Sequence, residues 1–165
     1  MVKAVNPVSV FELRKLFSYD PETGELIRLT GRFAGTLASA RDRAYVGECD
    51  IRVARIIWAI VHGYWPSKFI DHRDGNQLNF KLSNLREATP TQNQYNKVGV
   101  GAYPKGVTFK GDVPRTNPWQ AKIRVNGRRI HLGSFPTMED AAAAYRKASL
   151  KCHGEFSLTA SVLER

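Results

Sequence analysis

The chain is expected to be an α+β protein built from two small modules, and three patterns carry that expectation. Residues 69–97 run strand, turn-rich stretch, strand and helix in fewer than thirty residues. Residues 106–154 run three alternating apolar and polar segments into one alanine-rich helical stripe, the pattern of a three-stranded antiparallel sheet packed on one helix. Between them, Val98-Gly-Val-Gly-Ala-Tyr-Pro104 has two glycines, a proline and few helix formers, which marks a short joint. The expected modules are therefore 1–97 and 102–157, with 158–165 as a tail.

In the first module, Ser9 to Phe17 is a short amphipathic helix with Phe11, Leu13, Leu16 and Phe17 apolar. Asp20-Pro-Glu-Thr-Gly24 is a turn, and Leu26 to Thr30 is the strand after it. Ile51 to Val61 is strongly apolar, and its length past Val53 predicts a core helix that Gly63 stops. Phe69-Ile-Asp-His72 begins the compact unit, Arg73-Asp-Gly-Asn-Gln77 turns, and Asn84 to Ala88 is its second strand. Thr89 as N-cap and Pro90 at the first helical position open the helix that carries Asn93 and Asn96.

The second module is expected to begin with Gly106 to Lys110, with Val107 and Phe109 inward and Thr108 and Lys110 outward. From Trp119 to Val125, Trp119, Ala121, Ile123 and Val125 share one face; Gln120, Lys122 and Arg124 share the other. Asn126-Gly127 supplies the two positive-φ positions of a tight hairpin, and Ile130 and Leu132 alternate with Arg129 and His131 on the return. Thr137 caps a helix whose stripe is Met138, Ala141, Ala142, Tyr145, Ala148 and Cys152, ended by Gly154. The other face of the sheet is left bare and cationic.

Composition narrows the function. Apolar residues make up 42% of the 165, with 8 Phe, 6 Tyr and 3 Trp, so the chain can bury a core and is not intrinsically disordered. Its longest apolar run, Ile56 to Val61, falls far short of the ~20 residues of a membrane helix, and no secretory signal is expected at the N-terminus. Cys49 and Cys152 lie far apart without paired spacing, which excludes a disulfide framework or zinc ribbon and fits a reducing cytosol. The net charge is +10, and Lys105, Lys110, Arg115, Lys122, Arg124, Arg128 and Arg129 crowd one segment against Asp112 alone. Such a chain is expected to meet a polyanion.

Two resemblances sharpen this. The segment IDHRDGNQLNFKLSNLREATPTQNQYN resembles the ββα-metal motif of HNH endonucleases of the phage and homing type. His72, Asn84 and Asn93 match the eponymous residues at separations of 12 and 9, with Asp71 just before the histidine. The FSYDPETGEL turn and a helix running into HGYWP also resemble family members, with Ala54 standing where many relatives carry a histidine. The resemblance implies that Asp71 and Asn93 bind one divalent ion, that His72 is the general base, and that Asn84 clips the loop. Asn96 is the alternative to Asn93 as ligand. The second module, through RVNGRRIHLGSF and AAAAYRKASLKCHGEF, resembles the Apetala/ethylene-response-factor (ERF-type) DNA-binding domain. That implies contacts to duplex DNA from Lys105, Thr108, Lys110, Lys122, Arg124, Arg129 and His131. Several of these are arginine in the plant proteins, and His131 stands for a family tryptophan, so the plant target sequence does not transfer.

The chemistry agrees with these roles. Phosphodiester hydrolysis needs a water that loses its proton and a cation at the leaving 3′ oxygen. An unperturbed histidine titrates near ~6.5 and suits the first task. One carboxylate and one amide oxygen leave most of the shell to water and phosphate, which suits Mg²⁺, with Mn²⁺ as a substitute. Arg73 and Arg86 flank the motif as phosphate contacts, with Lys81, Lys97, Arg41, Arg43 and Arg52 as weaker candidates. His62 and His153 are expected to be capping or surface residues, and Tyr95 and Trp65 packing residues. The expected protein is a DNA endonuclease yielding 5′-phosphate and 3′-hydroxyl ends, acting as monomer or homodimer in the cytoplasm of a prokaryotic or phage-infected cell. A non-cleaving DNA-binding regulator is the alternative, and an RNA-directed protein a third.

Overall fold

The computed structural model describes residues 8–97, 102–111 and 116–157. Most of the expected joint, the tail, Asp112 and Arg115 lie outside those residues. The chain divides into two compact units, Met1–Pro90 and Thr91–Arg165, and its elements are α+β in both.

The first unit opens with α1 (Val10–Leu16), capped by Ser9. The Glu12 N–H donates to Ser9 Oγ at 3.2 Å and the Ser9 N–H to the Glu12 carboxylate at 2.9 Å, so two orphan donors are satisfied reciprocally. Phe17, expected inside the helix, instead starts β1 (Phe17–Tyr19), which pairs antiparallel with β2 (Leu26–Arg28). The turn between them is held by Asp20 Oδ1, which accepts from the Glu22 N–H at 2.9 Å. Gly24 has φ 80°, and a Cβ there would lie 2.7 Å from the Lys81 nitrogen. Only glycine lets this turn back onto the loop of the later hairpin.

Two strands not foreseen follow: β3 (Arg43–Val46) and β4 (Cys49–Arg52), an antiparallel hairpin. Each is four residues long, too short for alternation to stand out against its charged members. An Arg43–Asp50 pair at 2.6 Å bridges them on the exposed side. Then α2 (Val53–His62) buries Val53, Ala54, Ile56, Ile57 and Ala59 and ends at Gly63, φ 81°. β5 (Phe69–His72) and β6 (Leu85–Ala88) pair antiparallel, Asp71 opposite Arg86 and His72 opposite Leu85. The core of the unit joins Leu13, Phe17, Leu26, Val46, Ile56, Ile57, Phe80 and Leu85, so α1, α2 and all three hairpins share it.

α3 (Pro90–Tyr95) runs into the second unit, whose first residue is Thr91. β7 (Val107–Phe109), β8 (Trp119–Val125) and β9 (Arg128–Phe135) form an antiparallel sheet in that order. Asn126 and Gly127, φ 50° and 80°, make the tight turn. An irregularity between Ala121 and Lys122 shifts the register, so Lys122 faces His131 and Arg124 faces Arg129. α4 (Met138–His153) is capped by Thr137, whose Oγ1 accepts from the Asp140 N–H at 3.1 Å. Ala141 and Ala142 pack on Val107 and Ala121, so the helix lies close. The buried stripe continues through Ser149 and His153; Cys152, expected inward, is exposed. None of the described helices is long and apolar enough to cross a membrane.

Gly24→Ala is expected to cost about 1–3 kcal/mol through its left-handed backbone and its closeness to Lys81. Urea unfolding of the full chain measures it.

Candidate functional site

The loop between β5 and β6 is polar, and its backbone groups are satisfied by its own side chains. Asn84 does most of this. Its Nδ2 donates to Asp74 Oδ1 at 3.0 Å and to the Asn79 carbonyl at 2.8 Å, and its Oδ1 accepts from the Asp74 N–H at 3.0 Å. Its carbonyl accepts from the Arg73 N–H at 2.8 Å. Asp74 extends the network, accepting from Asn79 Nδ2 at 2.7 Å and from the Asn76 N–H at 2.8 Å. Asp74 and Asn79 were missed in the sequence; the signal for Asp74 was the Asp74-Gly-Asn76 run, where such side chains mimic backbone turns. Tyr19 holds the far side, its hydroxyl donating to the Phe80 carbonyl at 2.8 Å.

His72 sits at the mouth of this loop, 9% exposed, its carbonyl accepting from the Gly75 N–H at 2.9 Å. The edge of its ring meets Phe80, centroids 5.6 Å apart. Burial pushes its pKa below the ordinary 6.5, opposed in part by the negative charges of Asp71 and Asp74. The neutral ring, able to accept a proton, is the favoured form.

Asp71, next in the strand, meets Arg86 across the pair. Arg86 Nε and Nη2 donate to Asp71 Oδ2 at 2.9 and 2.8 Å, and both side chains are 6% exposed. This corrects the expectation for Arg86: its guanidinium is a buried partner of Asp71 and is not presented to a backbone phosphate. The register Asp71↔Arg86 explains it, since facing residues of a strand pair lie on one side. Arg73 is half-buried.

The second unit holds the other expected residues. Asn93 is half-buried on α3, and Asn96, just past it, is 3% exposed. Thr108, Lys110, Arg124, Arg129 and His131 are exposed and Lys122 half-buried, on β7, β8, β9 and the residue after β7. Lys105 is not part of that display. Its Nζ donates to the carbonyls of Gln94, Tyr95 and Lys97 at 2.8, 2.9 and 2.8 Å, so its charge is spent inside the unit. His153 is likewise no surface residue: it is buried, with Nε2 on the Arg124 carbonyl at 3.0 Å and its ring stacked on Tyr95.

Asp71 and the amide oxygens of Asn93 and Asn96 are hard donors of the kind Mg²⁺ takes while keeping water, so the donor chemistry fits a divalent ion. Among the described residues no group of three or more His, Cys, Asp or Glu forms a closed cage.

Comparison with known proteins gives the same region. Residues 52–95, from the end of β4 through α3, match the family model described as HNH endonuclease. An uncharacterized HNH endonuclease of Acanthamoeba polyphaga mimivirus is 37% identical over 99 residues, 59% of this chain and 50% of the relative. The chain thus spans about half of that relative's length. Protein 3.8 of Escherichia phage T7 is 29% identical over 102 residues, 61% of this chain and 84% of that protein. An ethylene-responsive transcription factor-like protein of Arabidopsis thaliana is 43% identical over 57 residues, 33% of this chain and 25% of that protein. No solved structure matches the chain significantly.

Arg86→Ala is expected to destabilise the chain by about 3–5 kcal/mol, because it removes the guanidinium that is hydrogen-bonded to the buried Asp71 carboxylate, and chemical denaturation reads the loss. Folding favours neutral His72 and neutral His153, whose pKa values burial lowers from 6.5. That stabilisation is whole above the unfolded value and is lost as pH falls below it toward the lowered folded values. The urea midpoint is therefore expected to drop between about pH 7.5 and about pH 5.5, and to drop less in His72→Gln.

Proposed function

Proceeding from the HNH match over residues 52–95, we propose that the chain is a metal-dependent endonuclease of duplex DNA. The observation that carries this reading is His72: buried, biased toward its neutral form, and fixed beside Asp71 by a loop that Asn84 ties shut. A neutral imidazole accepts the proton of an attacking water, and its burial keeps the ring available at neutral pH. Asp71 and Asn93 are the ligands the resemblance implies for Mg²⁺, with Asn96 as the alternative and Mn²⁺ as a substitute metal. When bound, the ion supplies positive charge to the leaving 3′ oxygen. Asn84 acts through the loop, holding the backbone on which His72 and Asp74 stand. The products are 5′-phosphate and 3′-hydroxyl ends.

The second unit is the grip. Exposed Lys110, Arg124, Arg129 and His131, with Thr108 and half-buried Lys122, give a bare cationic sheet face of the kind that enters a major groove. The short likeness to the plant transcription factor supports an ERF-type role for this face. Arg73 is a backbone contact near the scissile bond. The viral and phage relatives suit a homing-type enzyme working in an infected cell, as a monomer that nicks or a homodimer that cuts both strands.

Supercoiled plasmid and phage or host genomic DNA are incubated with the full chain and Mg²⁺. Open circles and fragments are expected, abolished by EDTA and reduced about 10²–10⁴-fold in His72→Ala with duplex binding retained. Binding without cleavage on all substrates would make the chain a DNA-binding regulator instead. Arg124→Gln or Arg129→Gln is expected to weaken duplex binding and each to lower the salt slope by about 1, read from affinity against ionic strength.

A further inference from the structure

α3 is six residues long, too short to hold itself together in water. Its last carbonyls have no partners within the helix. One ammonium supplies them: Lys105 Nζ has three donors and spends them on the carbonyls of Gln94, Tyr95 and Lys97, all within 2.9 Å. Its position also places a positive charge at the negative end of the helix dipole. Lys105 is half-buried, and burial lowers its pKa, as does neighbouring Lys97.

A second attachment stands beside the first. The Tyr95 ring lies on the His153 ring with centroids 3.6 Å apart and planes within 8°. His153 cannot swing away. The Arg124 carbonyl only accepts, so Nε2 carries the proton and donates at 3.0 Å. In the neutral ring Nδ1 then accepts from Ser149 Oγ at 3.2 Å, and Ser149 in turn accepts from Ser157 Oγ at 2.8 Å. Arg124 belongs to β8, and its side chain is exposed on the cationic face. The strand that displays a DNA-facing arginine therefore also fixes the ring on which α3 rests.

We propose that Lys105 and His153 are positioning residues, which hold α3 in the conformation its side chains need to ligate a metal ion. The proposal rests on the nuclease reading, since Asn93 and Asn96 are the residues whose backbone is being held. It makes the sheet module part of the ion site's scaffold as well as the grip on DNA. Sequence alone grouped Lys105 with the DNA contacts, and the two roles give opposite results.

Lys105→Met removes the three donors and keeps the stem; Lys105→Arg restores donors to the same carbonyls; His153→Phe keeps the stacked ring and removes its hydrogen bonds. Each full-length variant is measured for thermal melting, duplex affinity in EDTA, Mn²⁺ binding by electron paramagnetic resonance, and kcat and KM for plasmid cleavage. Lys105→Met is expected to weaken Mn²⁺ binding and lower kcat at least tenfold, with duplex affinity in EDTA within twofold of the parent. Lys105→Arg is expected to recover much of both losses, and His153→Phe to fall between. Unchanged Mn²⁺ binding and kcat in Lys105→Met and His153→Phe would overturn the proposal. So would a loss confined to duplex affinity, which is the signature of a DNA contact, or a parallel collapse of melting and affinity, which is the signature of folding alone. A parent chain that neither binds Mn²⁺ nor cuts DNA would overturn the nuclease reading itself.

Discussion

Closing the loop between β5 and β6 is the constraint on which the candidate site depends. Two four-residue strands are joined by a segment with little apolar material, and such a pair is marginal by itself. Asn84 resolves the conflict by spending both ends of its amide on the loop and its own carbonyl on Arg73. Asp74 and Asn79 complete the network with side chains that imitate backbone turns. Phe80 carries the loop into the core, and Gly24 and Tyr19 seat it from the neighbouring hairpin. An aspartate or a serine at Asn84 would lose either the donor or the reach, since a single amide is used as donor and acceptor at once.

The electrostatics of the unit follow from that closure. Asp71 and His72 are neighbours in a strand yet have opposite surroundings: one is buried against a guanidinium, the other packs edge-on with Phe80 among the negative charges of Asp71, Asp74 and Asp42. Desolvation of the imidazole outweighs those carboxylates, so burial favours the neutral ring. A buried pair such as Asp71–Arg86 adds little net stability over apolar packing, but it fixes the carboxylate in one orientation. For a residue expected to ligate an ion, orientation is the useful property.

Much of this was legible in the sequence because local signals were strong. Gly63 ends α2, Asn126-Gly127 makes the hairpin, and Thr137 caps α4 where turn and capping chemistry put them. His72, Asn84 and Asp71 were singled out by the resemblance of residues 70–96 to the HNH motif. What escaped was decided by tertiary contact. The β3–β4 hairpin is too short and charged to show a period. Arg86 looked like a surface cation because nothing local announces that its facing residue is Asp71. Lys105 and His153 are similar: a lysine after a proline and a histidine beside a terminal glycine are ordinary surface residues until α3 lies against them. Local sequence does not reveal a group whose partners are set by tertiary contact.

The claim at the centre is that the chain breaks the bond to the 3′ oxygen of a phosphodiester with a water activated at His72. Treating the nicked circles formed in Mg²⁺ with DNA ligase, without kinase or phosphatase, tests it most directly. The nicks are expected to seal, because water attack with a 3′ leaving oxygen leaves a 5′-phosphate beside a 3′-hydroxyl. Nicks that refuse to seal until the 3′-phosphate is removed and the 5′-hydroxyl is phosphorylated would contradict it.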